Sequence, residues 1–366
     1  MAKKQIIIAA ISSRAYVQAA IHAGFEVIAL DAFADVDTQK YAKKVLQVPI
    51  KNGQFEADTF LKVLQKIDLK NCTGLCYGAG FEQQPNLLLE IAQLVPIIGN
   101  APHTIQFCKN PQLLAEFCNS NHMASPIIAF SRPTNAIGWL QKQIGGSGGA
   151  HIKPVLPLEI SIKQNVYYQK IQAGTPYSCL FLADGNNSQV IGFNEQWCHA
   201  TTVSPYRFGG AVGHADLSEN VKTIITEFIA KATQFFGLKG INSCDFLLHE
   251  NKVYMLEINP RLSASLQLYS AKKGDLFDAH MQACLGELKQ WPTVEKQAKA
   301  MHIVYANKAA HVTAKVPAEM DWPDWVCDIP QPDSEIAAGE PICTVLADAR
   351  SAKLARKKLM QRVALL

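Results

Sequence analysis

The chain has 366 residues, 48% hydrophobic and 18% charged, with a formal net charge of +4. That length suffices for two or three domains with sizeable cores, while so small a charge excess gives no footing for nucleic acid and no apolar run reaches the length needed to span a bilayer. Ten cysteines without a CxxC pair, and ten histidines without HxxxH or HExxH spacing, argue for buried, reduced thiols in a cytoplasmic protein and against a transition-metal centre.

The N-terminus, MAKKQIIIAAISSRA, carries an apolar run only from Ile6 to Ile11, which reads as a first strand rather than a signal peptide. Residues 5–11 are expected as a buried parallel strand. Ser12 or Ser13 can cap a helix reaching about Ala23, stopped by Gly24, and Phe25–Leu30 is a second strand ending at Asp31. This β-α-β opening predicts a Rossmann-like unit. An acid ending the second strand is also where NAD enzymes hold ribose, but the first turn has no GxGxxG, so backbone cannot approach a pyrophosphate closely. Val45–Ile50 and Gly74–Tyr77 are further strands. The segment Tyr77-Gly78-Ala79-Gly80-Phe81-Glu82 follows at a strand's carboxyl end, where open α/β sheets place ligands; Glu82 is its candidate functional residue. Val95–Ile98 is the last expected strand of this unit, and Gly99–Pro102 reads as a boundary.

Residues 103–123 are helical in pattern. Next, a strand over Trp139–Lys142 runs into Gly145-Gly146-Ser147-Gly148-Gly149 and then a second strand. Consecutive backbone N–H groups in such a loop can fold over phosphates as a mobile flap, with Lys142 directly before it. Lys153, beyond the loop, is a surface or flap-edge residue. Tyr167–Ile171 is a strand, Gly174–Ser178 a turn, and Cys179–Ala183 with Gln189–Phe193 a hairpin. Tyr206-Arg207-Phe208-Gly209-Gly210-Ala211 sets an arginine beside glycines and suits an anionic substrate or phosphate. Ser218 caps an amphipathic helix over 217–236.

Two strands follow, Ile241–His249 and Lys252–Ile258, with a turn at Glu250–Asn251. Period-2 alternation sets Glu257 and Asn259 on one face, Leu256 and Ile258 on the other. A two-residue turn places Asp245 opposite Leu256; a three-residue turn or one bulge places it opposite Glu257. In the second register two carboxylates and an amide converge near Arg261. Carboxylates so close repel each other unless a cation lies between them, and oxygen-only ligands suit Mg²⁺. A helix over 271–286 is expected behind this pair. From Met301 onward, short strands at Ile303–Ala306, Ala310–Ala314 and Ile342–Leu346 alternate with turns. Arg350–Arg362 reads as a solvated C-terminal helix.

The string Asp-Phe-(x)n-Glu-Ile-Asn-Pro-Arg resembles the metal-binding strand pair of the ATP-grasp superfamily, and Trp139–Gly149 is similar to its Trp-Leu-x-Lys-Pro-x-x-Gly-Ser-Gly-Gly pattern, with Gln143 at the proline. The resemblance covers nearly the whole chain. It implies an α/β ATP-grasp fold (α+β in the middle), with a Rossmann-like domain over 1–100, an ATP-grasp domain over 101–295 hinged near 167–174, and a small β-rich C-terminal lobe over 296–366. By resemblance, Asp245, Glu257 and Asn259 hold Mg²⁺ or Mn²⁺ on ATP, and Arg261 contacts the transferred phosphoryl group. Lys142 and the loop Gly145, Gly146, Ser147, Gly148, Gly149 lie on the phosphates. Hinge residues Gln169, Lys170, Ile171 and Gln172 face the adenine, with Lys170 where a ribose-binding acid is common. A helix-opening lysine of relatives falls on Asn110, so either Lys109 substitutes or that contact is absent. Arg14, Glu82 and Arg207 are the candidate substrate contacts.

The resemblance further implies a cytoplasmic carboxylate–amine ligase working through an acyl phosphate on small-molecule substrates, compatible with a homodimer and without nucleic-acid or membrane partners. The subgroup looks like the carboligases related to biotin carboxylase and the tyramine–glutamate ligase of methanofuran biosynthesis, which points to glutamate or another amino acid joined to an amine. Two alternatives are a catalytically silent ATP-binding scaffold, motivated by Asn110 and Lys170, and a nicotinamide-dependent oxidoreductase, motivated by Asp31.

Overall fold

The computed structural model describes residues 4–156, 164–269, 274–291, 297–313 and 322–366. The N-terminal unit runs β1 (Gln5–Ala10), α1 (Arg14–His22), β2 (Glu26–Asp31), α2 (Val36–Tyr41), β3 (Lys44–Gln47), the short pair β4 (Ile50–Lys51) and β5 (Gln54–Phe55), α3 (Ala57–Leu64), β6 (Cys72–Tyr77) and α4 (Pro85–Leu94). Strands β3, β2, β1 and β6 form a parallel sheet in that order. Ile6, Ile7 and Ile8 are fully buried, as a strand covered on both faces requires. The expected strand over Val95–Ile98 contributes only a bridge between Leu75 and Ile97. Ser13 occupies the N-cap of α1 but makes no cap bond; its N–H and hydroxyl both donate to Asp31, which also accepts from the N–H groups of Phe33 and Ala34. Asp31 is thereby a structural clip for this turn, and the feature behind the nicotinamide reading is accounted for.

The helical stretch expected over 103–123 is two helices, α5 (Pro102–Cys108) and α6 (Pro111–Ser120). Pro111 cannot continue a preceding helix but suits a first helical turn, and the Asn110 side chain caps α6 by accepting from the N–H groups of Gln112 and Leu113. Beyond them, β7 (Ile128–Ala129), β8 (Trp139–Gln143), β9 (Lys153–Pro154) and β10 (Val166–Lys170) make a four-stranded antiparallel sheet, ordered β7-β10-β8-β9. Lys153 is exposed on its edge strand.

The largest sheet has eight strands. β11 (Thr175–Asp184), β12 (Ser188–Cys198), β13 (Phe208–Gly213), β14 (Lys239–His249) and β15 (Lys252–Asn259) form one side of it, with α7 (Glu219–Phe236) packed across. Thr175–Ser178, expected as a turn, is the start of β11, paired with Asp245–Leu248 of β14. The Ser218 cap of α7 holds. Helix α8 (Asp275–Cys284) packs on β14 and β11; the first residues of the expected 271–286 helix lie outside the described residues.

Most of the C-terminal strands described join the large sheet. β16 (Ala298–Tyr305) pairs with β13 and with β20 (Pro341–Ala349), and β18 (Val326–Cys327) adds to β20, so the order is β15-β14-β11-β12-β13-β16-β20-β18. A separate short pair joins β17 (Ala310–His311) to β19 (Glu335–Ile336). The basic C-terminal helix α9 (Ala352–Val363) buries Ala355 and Leu359 against this sheet, while Leu354 stays largely exposed.

Candidate active site

The hairpin β14–β15 settles the register left open above. Its turn has two residues, Glu250 and Asn251, both at positive φ (49° and 62°), the twist that suits a tight hairpin. His249 pairs with Lys252 and the ladder holds to Phe246–Met255; one bulge at Leu256 then sets Asp245 opposite Glu257 and Ser243 opposite Asn259. The bulge also changes the facing of Leu256. Instead of sharing the Ile258 face it lines the same cavity as Glu257, while Val253, Met255 and Ile258 enter the core under α7.

Around this hairpin the polar groups converge. The Asn259 amide nitrogen donates to Asp245 (3.0 Å) and Glu257 (3.3 Å), and the Gln196 side chain donates to the other Asp245 oxygen (3.3 Å). Lys109, at the C-cap of α5, sends its buried ammonium to the Asn259 carbonyl oxygen (2.6 Å) and to Glu257 (3.3 Å). Lys142 is buried on β8; its ammonium donates to Gln169 (3.2 Å) and lies 5.6 Å from the Tyr167 ring centre. Lys109, Lys142, Gly145, Gly146, His151, Gln169 and Glu257 line one cavity, with Leu114, Pro126, Ile128 and Met255 as apolar wall.

The electrostatics follow from this packing. Burial and the facing Glu257 push the Asp245 carboxyl up to about 7. Burial acts on Glu257 in the same direction, but Lys109 and Lys142 prevail and hold it well below the usual carboxylate range. A pair of carboxylates that cannot both ionise freely is what a shared cation relieves. The donors are hard oxygens, and an ammonium already sits on two of them, so the residues fit a divalent cation of the Mg²⁺ kind. Desolvation, only partly offset by Glu257 and reinforced by Lys142 and Lys109, lowers His151 to about 4.

The glycine loop is docked. Gly145, Gly148 and Gly149 are at positive φ (72°, 67° and 75°). A side chain on Gly149 would collide with the Tyr206 carbonyl oxygen, and one on Gly145 with that of Glu82. The Phe208 N–H donates to the Gly148 carbonyl (2.9 Å).

Arg261 and Glu82 meet: the arginine Nε donates to Glu82 (2.6 Å), whose second oxygen accepts from the N–H groups of Gly80 and Phe81. Burial opposes the Glu82 charge, yet the Arg261 guanidinium keeps this carboxyl below its ordinary value. Glu82 is therefore spent on orienting Arg261 and is not free to hold a substrate. Arg14 is likewise committed, to Asp328 (2.8 Å), with Asp37 at 3.6 Å, Gln18 and Gln267 around it. Of the hinge residues only Gln169 reaches the cavity; the Lys170 side chain lies over Trp139 and the Lys170 and Ile171 N–H groups bond to Ile127 and Gly138. Gln172 bonds to the neighbouring Ala173 carbonyl. His151 and Gln196 were not read from the sequence as site residues. His151 could have been, as the second residue after the glycine motif; Gln196 depends on how far β12 extends.

Residues 113–265 match the family model described as an ATP-grasp domain. An uncharacterized protein of Methanocaldococcus jannaschii is 23% identical over 93% of this chain and 87% of its own length. Biotin carboxylase from Campylobacter jejuni superimposes with a TM-score of 0.71 at 14% identity, covering 97% of this chain and 89% of that one. L-amino acid ligase from Bacillus licheniformis gives 0.69 at 11% identity over 99% and 97%.

Proposed function

We propose that this chain, which carries an ATP-grasp domain and has the ATP-grasp fold, is an ATP-dependent carboxylate–amine ligase that works through an acyl phosphate. The observation that carries the reading is the convergence of two buried lysines, Lys109 and Lys142, and Glu257 on one cavity at a docked glycine loop, with Asn259 bonded to Asp245, Glu257 and Lys109 beside it. Phosphoryl transfer needs positioning and charge neutralisation more than covalent help from the protein.

In this reading Lys142 and Lys109 hold the triphosphate. Lys109 supplies the cation that relatives place at Asn110, so the departure noted there no longer favours a silent scaffold. Asp245, Glu257 and the Asn259 carbonyl would hold Mg²⁺, which when bound neutralises charge on the β- and γ-phosphates. Arg261, oriented by Glu82, faces the group being transferred. The substrate carboxylate attacks the γ-phosphoryl group and ADP leaves; the amine then attacks the acyl phosphate and inorganic phosphate leaves. The loop from Gly145 to Gly149 excludes the water that would hydrolyse that intermediate. Resemblance to tyramine–glutamate ligase makes glutamate, or another amino acid, the first acid to try, with methanofuran- or methanopterin-type coenzymes as the setting.

The test is ADP release with ATP–Mg²⁺ while carboxylates and amines are supplied in pairs. Release that requires both partners supports a ligase, and release indifferent to them rejects it. Glu257→Gln is expected to lower turnover by roughly 10²–10³; near-normal turnover in that variant removes the assigned metal cradle.

A further inference from the structure

Buried cations in folded proteins have anionic or strongly polar partners. Among the described residues four lysines and arginines are buried: Arg14, Lys109, Lys142 and Arg207. Arg14 and Lys109 are paired with carboxylates. Lys142 faces the cavity assigned to the triphosphate. Arg207, only 8% exposed, has no carboxylate within ion-pair distance and lies outside that cavity's lining.

The Arg207 guanidinium is held firmly nonetheless. Its carbon lies 3.7 Å from the centre of the Tyr305 ring, and the Tyr305 hydroxyl is anchored on the Phe208 carbonyl (2.8 Å). Nη1 donates to the Gly339 carbonyl (2.6 Å). Among the described residues, Nε is buried without a partner and Nη2 makes no hydrogen bond. Nε and Nη2 are the two donors of one edge, the fork that matches a carboxylate in bidentate fashion. Both neighbours of Arg207 touch the glycine loop, Tyr206 at Gly149 and Phe208 at Gly148. The His199 N–H is bonded to the Arg207 carbonyl (2.7 Å), and its imidazole lies 5.1 Å from the Tyr305 ring.

We propose that this free edge of Arg207 binds an α-carboxylate that is retained through the reaction, so that one of the two substrates is an amino acid whose α-carboxylate is not the group activated. The proposal rests on the ligase reading above and narrows its substrate class. The carboxylate on Arg207 is a spectator for two reasons. Both its oxygens would be occupied by the fork, which leaves a poor nucleophile for a phosphoryl group. And Arg207 does not line the cavity that Lys142 and Glu257 share, to which the phosphoryl group is assigned. A ligand here would also bridge the large sheet to the rim of the glycine loop, so its binding and the closing of the loop would favour each other.

The experiment uses the full-length chain and thermal melting in the presence of ADP–Mg²⁺. The probes are the twenty amino acids, the α-amide of each, and inorganic phosphate. At least one amino acid should raise the melting temperature while its amide does not. Arg207→Ala and Arg207→Lys should weaken that amino acid's binding roughly 10- to 100-fold, with the protection given by ATP–Mg²⁺ unchanged; the lysine variant keeps the charge and guards against misfolding. The proposal is overturned if no amino acid protects, if the amide protects equally, or if protection survives both substitutions. Protection by inorganic phosphate alone, lost in both variants, would also overturn it by assigning the edge to a phosphorylated substrate. Absence of ATP–Mg²⁺ protection in the unaltered chain is a different result, and it rejects the ligase reading itself.

Discussion

Lys109 and Asn110 are adjacent and do different work. Asn110 closes the N-terminus of α6 through its side chain, whereas Lys109 projects to Glu257 and Asn259. If Lys109 holds the triphosphate as proposed, Lys109→Met should raise the KM for ATP about 10- to 100-fold through loss of a buried charge-assisted contact. Asn110→Ala should cost about 1 kcal/mol of stability, the usual worth of a cap, with a much smaller change in KM. Steady-state kinetics with chemical denaturation of both variants separates the two roles; equal KM changes would assign Lys109 to structure alone. The sequence showed a lysine beside the expected slot without deciding between them, because the decision depends on the helix break at Pro111. The meeting of Asp245, Glu257 and Asn259, and the place of Lys142 before the glycine loop, were legible at residue level, since strand alternation and a motif spacing of a few residues suffice to group them. The Glu82–Arg261 pair was not, because 179 positions separate the partners and only the folded chain brings them within 2.6 Å.

At the scale of elements, the hairpin shows where alternation ends as a guide. It leaves two registers for Asp245, and the bulge at Leu256 that selects one is a matter of three-dimensional packing. The glycine loop carries a sharper consequence. Gly149→Ala puts a methyl group into the Tyr206 carbonyl and strains a positive φ, so the loop must lift. We expect ATP hydrolysis in the absence of the amine to rise relative to ligation, measured as the ratio of phosphate released to product formed; an unchanged ratio would mean that the loop does not protect the intermediate. Packing of α8 on β14 gives a pH dependence. His280 is fully buried, accepts from the Ile241 N–H on Nδ1 (2.9 Å) and faces Cys76 on Nε2 (3.6 Å). Burial lowers it to about 4, against about 6.5 in the unfolded chain. The unfolded state then binds the extra proton between those values, so stability falls as pH drops from about 6.5 towards 4, by up to about 3 kcal/mol. His280→Gln should flatten that part of the stability–pH curve even if its plateau is lower; an unaltered slope would locate the acid sensitivity elsewhere.

Across the whole molecule, Arg14 ties α1 of the N-terminal unit to Asp328 beside β18, and Asp37 accepts from the N–H groups of Asp328 and Ile329. This cluster is a clasp between the two ends of the chain. Asp328→Ala leaves the buried Arg14 guanidinium with only the longer 3.6 Å pairing to Asp37 and should cost on the order of 3 kcal/mol, whereas Arg14→Met combined with Asp328→Ala should cost less than the two single changes summed. Equilibrium denaturation of the three variants measures it, and strict additivity would remove the coupling. The parallel sheet at the start could be read from the order of strands and helices, and the central strand pair from its motif. The destination of the last strands could not, because short runs such as Ile342–Leu346 carry no mark of which sheet they will join.

That destination matters to anyone who would work with the middle of the chain alone. β13 gives one of its sides to β16. A polypeptide ending near residue 295 would keep the lysines, the acids and the glycine loop, yet it would leave the edge of β13 at Gly210–Val212 as a raw seam of unsatisfied amides and carbonyls. Such a seam recruits a second molecule as readily as it once received its own tail, so the fragment that looks sufficient for chemistry would be the one that clumps.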